Sequence, residues 1–450
     1  MYFVGAGGIG MSALIRYFLA GGHQVAGYDK TPSTLTEQLN REGAAIHYED
    51  NIDRIPEAFK NRENTLVVFT PAVPQDHTEL TFFKNKGFVI MKRAQVLGEI
   101  TRRNRSICIS GTHGKTTTSS MTAHLLKQSH VDCNAFLGGI LKNYGSNLLL
   151  SSTTDLTVIE ADEYDRSFHH LSPHMAVITS ADPDHLDIYG TPEAYEESFN
   201  HFTSLIRPEG LLLMKKGIRL HPRLQKNVRL YTYSIEPGSD FHAENIRTGN
   251  GEIIFDYVAP NETIRDIYLG VPLKINIENG IAAITLARLN GASPDEVKQA
   301  MASFRGAERR FDFRLKSDRI VLIDDYAHHP EELKASIASV RELYQGRKLT
   351  VIFQPHLYSR TGDFYREFAQ SLSPADEVIL LDIYPAREEP IPGVTSQLIL
   401  DNITSAHKQV TTKENLLTII EKGGRDVVLM LGAGDIDRLV EPVKKILEQQ

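Results

Sequence analysis

The 450-residue chain contains no tryptophan and only two cysteines, Cys108 and Cys133. Two thiols cannot frame a disulfide scaffold, and neither falls in a C-x-x-C or other metal-ligand spacing, so both are expected as small core residues. No apolar run reaches the roughly 18 to 20 residues that cross a bilayer. The N-terminus also lacks the basic start and cleavage site of a signal peptide. A reducing, cytoplasmic setting with no membrane partner is the expectation. There is no basic excess either: 49 Lys and Arg against 57 Asp and Glu leave a net charge of -8, which gives no electrostatic footprint for nucleic acid. Low-complexity tracts and internal repeats are missing. What is present, 41% hydrophobic and 24% charged residues over this length, suits a globular chain of two to four domains.

The most informative segment is Ser110-Gly111-Thr112-His113-Gly114-Lys115-Thr116-Thr117-Thr118, which joins a strand-like run, Ser106 to Ile109, to a helix-like run beginning near Thr116. This is the layout of a phosphate-binding loop. Glycines let backbone N–H groups converge on phosphate oxygens, Lys115 can reach the terminal phosphates, and the Thr116 hydroxyl can ligate an accompanying Mg2+. ATP is therefore the first ligand to consider. The loop is a short variant whose first glycine is Gly111, because Ile109 stands where the common form has glycine.

The chain opens on a strand, Tyr2 to Val4, followed by Gly5-Ala6-Gly7-Gly8-Ile9-Gly10-Met11-Ser12, a helix-like stretch from Ala13 to Ala20, and a second strand, His23 to Tyr28, ending on Asp29. Gly5, Gly7 and Gly10 match G-x-G-x-x-G with an acid after the second strand, the pattern of a dinucleotide site. Alternating strands and helices continue to about Gly98, with a strand at Leu66 to Thr70. A second unit from Arg105 adds strands at Leu156 to Glu160 and Met175 to Thr179. A mixed stretch, Leu211 to Leu269, reads as an antiparallel extension, and a helix follows from Asn276 to Leu289. A third unit carries strands at Ile320 to Asp325, Leu349 to Phe353, Val378 to Leu381 and Val427 to Leu431. Repeated strand–helix alternation predicts parallel sheets covered on both faces. The fold class is thus α/β in three tandem domains, 1–103, 104–307 and 308–450: Rossmann-like, central P-loop ATPase-type and Rossmann-like. A hinge is expected at Phe304 to Glu308.

Ligands of open α/β sheets sit at the carboxyl ends of strands, and acids cluster there. Glu160-Ala161-Asp162-Glu163-Tyr164-Asp165 follows one strand, and its oxygens suit Mg2+, with Glu160 the first choice. Asp182-Pro183-Asp184-His185 follows the next, and a histidine flanked by acids can be a metal ligand oriented by a neighbouring carboxylate. His169 and His170 read as surface or packing residues, since no spaced Cys or His set would build a zinc site with them.

Together these motifs resemble the Mur ligase family, most closely its alanine-adding branch. The likeness spans Gly5 to Ser12, Gly111 to Thr116, Glu160 to Glu163, Asp184-His185, Asn276 and Asn279, Arg309-Arg310-Phe311, Asp324 to Pro330 and Phe353-Gln354-Pro355-His356. The resemblance implies an ATP-dependent ligase that joins L-alanine to the lactyl carboxylate of UDP-N-acetylmuramate through an acyl phosphate, with ATP and Mg2+ as cofactors. By it, Lys115 grips the phosphates within Gly111, Thr112, His113, Gly114, Thr116 and Thr117. Thr116 and Glu160 hold one Mg2+, and His185 helps hold a second. Asn276 and Asn279 face adenine, and Arg310 and Asp325 close on the nucleotide. His356 and Arg360 take the amino acid; a guanidinium can pair with its carboxylate in a bidentate way. The loop of Gly5, Ala6, Gly7, Gly8, Ile9, Gly10 and Ser12, with Asp29, binds a UDP-sugar rather than a dinucleotide.

Some positions depart from the family pattern: Ile275 precedes Asn276, Leu357 follows His356, and no lysine that could bridge metals lies between Leu186 and Met214. Three rivals stand beside this reading. One is a recycling ligase that attaches a tripeptide to the same UDP-sugar, which Tyr384 to Gly393 and Leu431 to Ile436 disfavour. Another is an NAD-dependent oxidoreductase, which leaves Lys115, Glu160 and His185 without a task. The third is a UDP-sugar sensor, which would not need them. Monomer and homodimer are equally compatible with the sequence.

Overall fold

Short runs of branched and aromatic residues alternate with amphipathic segments, and in a computed structural model of the chain each such run becomes a strand of a twisted sheet. The structure describes residues 1–450 apart from 75, 250 and 387 and the side chains at 186 and 187. One sequence-predicted motif, 384–393, therefore lies partly outside the described residues.

By their contacts the residues form two compact units, one of Met1–Asn245, Phe255–Ile267 and Ile275–Phe304, the other of Ile246–Ile254, Tyr268–Lys274 and Arg305–Gln450. The first unit carries two sheets. The smaller has five parallel strands in the order Ala45–His47, Ala26–Tyr28, Tyr2–Val4, Leu66–Phe69 and Val89–Lys92. The larger has seven, ordered Arg229–Tyr233, Leu211–Lys215, Met175–Ile178, Ser106–Ser110, Thr157–Glu160, Asn134–Leu141 and Ser146–Leu149, with only the last antiparallel to its neighbour.

Their shared core includes Phe3, Leu14, Cys108, Phe136, Ile159 and Phe199, and Tyr17 packs its ring 5.3 Å from that of Phe136. Strand Ser106–Ser110 is buried throughout, as a central parallel strand covered on both faces must be. Both cysteines are buried and free.

The stretch read as an antiparallel extension is corrected in part. Leu211–Lys215 and Arg229–Tyr233 continue the parallel sheet; the helix Pro192–Ser204 supplies the crossover into Leu211–Lys215, and an irregular connection leads on to Arg229–Tyr233. The strands His242–Gly249, Glu252–Ala259 and Glu262–Tyr268 form a sheet of their own. The second unit's main sheet runs Asp312–Lys316, Val321–Asp325, Val427–Leu431, Leu349–Phe353, Glu377–Leu381 and His407–Thr411, with only the first strand antiparallel. The unit boundary between Phe304 and Arg305 falls at the start of the segment expected as a hinge. Among the described residues no helix is long and apolar enough to cross a membrane.

Candidate functional site

The turn after strand Ser106–Ser110 is built by two glycines with positive φ, Gly111 at 141° and Gly114 at 82°. A β-carbon on Gly114 would also come within 2.8 Å of Asn279 Oδ1, so conformation and space both require glycine there. The loop is stapled to the segment following strand Met175–Ile178. Thr112 Oγ1 donates to Asp182 O at 2.7 Å, His113 N to Ser180 Oγ at 2.7 Å, and Thr179 Oγ1 to His113 O at 2.5 Å. Helix Lys115–Lys127 starts directly at Lys115 and has no side-chain cap, so its first N–H groups face outward as an anion site. Lys115 Nζ donates to Gly111 O at 2.6 Å and to Glu163 Oε1 at 2.7 Å. Thr117 is half-buried in the first turn.

Thr116 Oγ1 donates to Glu160 Oε1 at 3.1 Å, while Glu160 Oε2 accepts from Gly138 N at 3.0 Å. Gly138 permits this approach, for a β-carbon there would overlap the Glu160 carboxylate. Burial raises the pKa of Glu160, and the Lys115 charge opposes the rise. His185, with φ 52°, sets its ring against Tyr164 at 5.2 Å and its Nε2 3.8 Å from Asp184 Oδ2. Asn276 and Asn279 lie one turn apart on helix Lys274–Leu289. Asn279 Nδ2 donates to Asn276 Oδ1 at 3.0 Å, and Thr118 Oγ1 donates to Asn279 Oδ1 at 3.1 Å, so the amide pair abuts the phosphate loop. His169 packs on Phe168 and bonds Ser198, in keeping with a packing role.

The first glycine loop is shaped by the strand beside it. Gly5 N and Ala6 N both donate to Tyr28 O at 2.9 Å, and Gly7 N donates to Asp29 Oδ2 at 2.6 Å. Asp29 also accepts from Thr31 N, so its carboxylate holds the loop itself. Helix Ile9–Ala20 starts after Gly8 without a side-chain cap. Asn147 Nδ2, from the larger sheet, donates to Ile9 O at 2.6 Å and Ser12 Oγ at 3.0 Å, joining loop to sheet. A cavity of about 280 Å³ connects this loop to the acids, lined by Gly8, Gly10, Arg93, Gly138, Glu160 and Asp162. Arg93 lies against Gly10, with Nη2 3.4 Å from Asp162 Oδ2. Sequence reasoning missed this cation; its signal is the basic pair Lys92-Arg93 where strand Val89–Lys92 passes into a helix.

In the second unit, Asp325 is buried and accepts from Ser336 Oγ; burial raises its pKa. The Arg310 guanidinium lies 5.8 Å from the Tyr326 ring centre. Arg360 Nη1 donates to His356 Nδ1 at 3.4 Å. The His356 ring stacks on Tyr384 at 5.6 Å and meets His328 edge-on at 6.0 Å. Burial, and next the Arg360 charge, lower the His356 pKa and keep its ring neutral at pH 7. His328 and Tyr384 thus join the predicted pair His356 and Arg360, and the distance between them in sequence hid this.

Three families match in succession: the Mur ligase family catalytic domain over residues 1–105, the Mur ligase middle domain over 109–287 and the Mur ligase glutamate ligase domain over 309–434. A UDP-N-acetylmuramate–L-alanine ligase of Parabacteroides distasonis is 68% identical over 100% of this chain and 97% of its own length. The crystal structure of a UDP-N-acetylmuramate–alanine ligase from Thermotoga maritima superposes with a TM-score of 0.82 at 27% identity, covering 100% of this chain and 98% of that one. A murein peptide ligase from Psychrobacter arcticus shares the fold at a TM-score of 0.66 and 22% identity, covering 100% and 98%.

Proposed function

The chain belongs to the Mur ligase family through three consecutive domains, and from that premise we propose that it joins L-alanine to the lactyl carboxylate of UDP-N-acetylmuramate in peptidoglycan synthesis, at the expense of ATP. Identity of 68% along the full chain to a relative named for that reaction carries the reading. The functional domains run 1–103 for the UDP-sugar, 104–307 for ATP and 308–450 for the amino acid and closure. The enzyme works in the cytoplasm as a monomer or homodimer.

A carboxylate is a poor electrophile, so the lactyl carboxylate first takes the γ-phosphoryl group, giving an acyl phosphate and ADP. The uncharged amine of L-alanine then attacks, a tetrahedral intermediate forms, and phosphate leaves. The backbone of Gly111 to Thr117 and the Lys115 ammonium stabilise charge on the transferring group. Asn276 and Asn279 face adenine, and Arg310 and Asp325 bind nucleotide, as the family resemblance implies for each. The loop from Gly5 to Ser12, kept in shape by Asp29, takes the diphosphate of the UDP-sugar, and Arg93 adds a cation beside it. His356 and Arg360 receive the alanine carboxylate.

The Thr116 hydroxyl and Glu160 carboxylate, 3.1 Å apart, are hard oxygen donors of the kind Mg2+ prefers. Among the described residues no three His, Cys, Asp or Glu side chains form a ready cage, but Mg2+ keeps several waters and needs few protein ligands. These two residues would hold one ion and His185 would help hold a second. The metal would neutralise charge on the phosphates.

The test is phosphate release with ATP, Mg2+ and UDP-N-acetylmuramate, comparing L-alanine, the recycling tripeptide and no amine. Release that requires L-alanine, with the matching UDP-sugar product by mass, supports the reading. Release with tripeptide alone reassigns the chain to recycling, and no release with either removes the ligase reading.

A further inference from the structure

Glu163 belongs to the acidic run that starts at Glu160, yet its carboxylate meets Lys115. The residue is 1% exposed. Oε1 accepts from Lys115 Nζ at 2.7 Å, whereas Oε2 is buried with no hydrogen-bond partner among the described residues. Its backbone is fixed as well: the carbonyl accepts from Tyr189 Oη at 2.5 Å and Arg166 N at 3.0 Å. Lys115 has three N–H donors. They point to Gly111 O at 2.6 Å, Glu163 Oε1 at 2.7 Å and, more weakly, Thr112 O at 3.4 Å. The ammonium is thus fully engaged, and a phosphate oxygen can reach it only by displacing one of these partners. The two carbonyls are neutral parts of the loop, while Glu163 is an acid and the phosphate's like in charge.

We propose that Glu163 is a positioning residue that holds Lys115 as an internal stand-in for the nucleotide's phosphates, and that nucleotide binds by moving Lys115 from Glu163 to phosphate. The proposal rests on the reading of Lys115 as the phosphate-gripping lysine. Its consequence runs against intuition: weakening a buried contact of the site strengthens binding. In Glu163→Gln the acceptor and the shape remain, but the ion pair becomes an ammonium bond to a neutral carbonyl oxygen, and the anion facing the phosphates is gone.

The experiment is calorimetric binding of ADP with Mg2+, in the absence of UDP-sugar and amino acid, to the full chain and to Glu163→Gln, Lys115→Ala and the double variant. Glu163→Gln is expected to bind about tenfold more tightly, equivalent to about 1.4 kcal/mol, and Lys115→Ala more weakly. In the Lys115→Ala background the gain should vanish, because the buried carboxyl without its cation stands neutral and the amide changes nothing. Glu163→Met, similar in length and without an acceptor, is expected to shift affinity in the same direction and serves if the amide variant does not fold. ADP binding by Glu163→Gln that is equal to or weaker than wild type overturns the proposal, as does a gain of the same size without Lys115. If the unmodified chain does not bind ADP, or Lys115→Ala binds it equally well, the nucleotide reading of the loop fails instead.

Discussion

Glu79, on helix Thr78–Asn85, is hydrogen-bonded to Tyr2 of the five-stranded sheet that presents the first glycine loop, and replacing it by glutamine should make the protein more stable at one end of the pH range and not at the other. The carboxylate is 0% exposed. Oε2 accepts from Tyr2 Oη at 2.7 Å, Oε1 accepts from Asn51 N at 3.3 Å, and His47 Nε2 stands 3.3 Å from Oε1. Burial lifts its pKa from 4.5 to about 7 against the pull of those hydrogen bonds. At 1.36 kcal/mol per unit the rise corresponds to about 3 kcal/mol. The folded state holds the proton more tightly than the unfolded chain. The stabilising linkage is therefore fully present below pH 4.5 and is lost as pH rises through 7.

Glutamine has no proton to lose and mimics the neutral acid, its Oε1 accepting from Asn51 N while its Nε2 donates to Tyr2 Oη. Urea unfolding followed by circular dichroism from pH 4 to pH 8 should show no advantage for Glu79→Gln at the acid end and up to about 3 kcal/mol at the alkaline end. Tyr2, His47, His77 and Asp50 surround the site in both proteins, so the difference between the two curves isolates residue 79. Parallel curves, or a glutamine variant less stable at pH 8, would refute the reasoning.

Three further outcomes are expected. Lys115→Ala should abolish ATP-dependent phosphate release while leaving UDP-N-acetylmuramate binding intact by calorimetry; equal loss of both would contradict the division of labour between the two loops. Arg93→Ala should weaken UDP-N-acetylmuramate binding by about ten- to a hundredfold, the range for losing a hydrogen bond to a charged group, with ADP affinity unchanged; a loss of ADP affinity instead would move Arg93 to the other ligand. Gly138→Ala places a β-carbon on the Glu160 carboxylate, so the Mg2+ concentration for half-maximal activity should rise severalfold in a protein that still folds. An unaltered Mg2+ requirement would separate Glu160 from the metal.

The fold was readable wherever local pattern and tertiary environment agree. Ser106–Ser110 and Val427–Leu431 are continuous apolar or small runs because both faces of a central parallel strand are covered. The segment after Leu211 misled because Arg229–Tyr233 is an edge strand with exposed positions and an irregular lead-in, which looks like an antiparallel meander when the helix feeding the sheet is not weighed. The loops were legible for a different reason: glycine spacing encodes backbone conformation directly, and Gly111 and Gly114 carry positive φ where the spacing placed them.

Asp29 shows the limit of that reasoning. The acid after the second strand is read toward a ligand, and its oxygens also accept from Gly7 N and Thr31 N; a spacing reports where a side chain starts, not every partner it has. Arg93 is hidden for the same reason, and Glu163, though named in the acidic run, is read toward Mg2+ and not toward Lys115. Each acts through a contact with a residue far along the chain, Asp162 for the one and Lys115 for the other, and charge pairs of that separation leave no periodic trace. The contacts that hold a site in readiness are therefore what a motif does not report, and in this chain they are made by charged side chains that close on the two glycine loops.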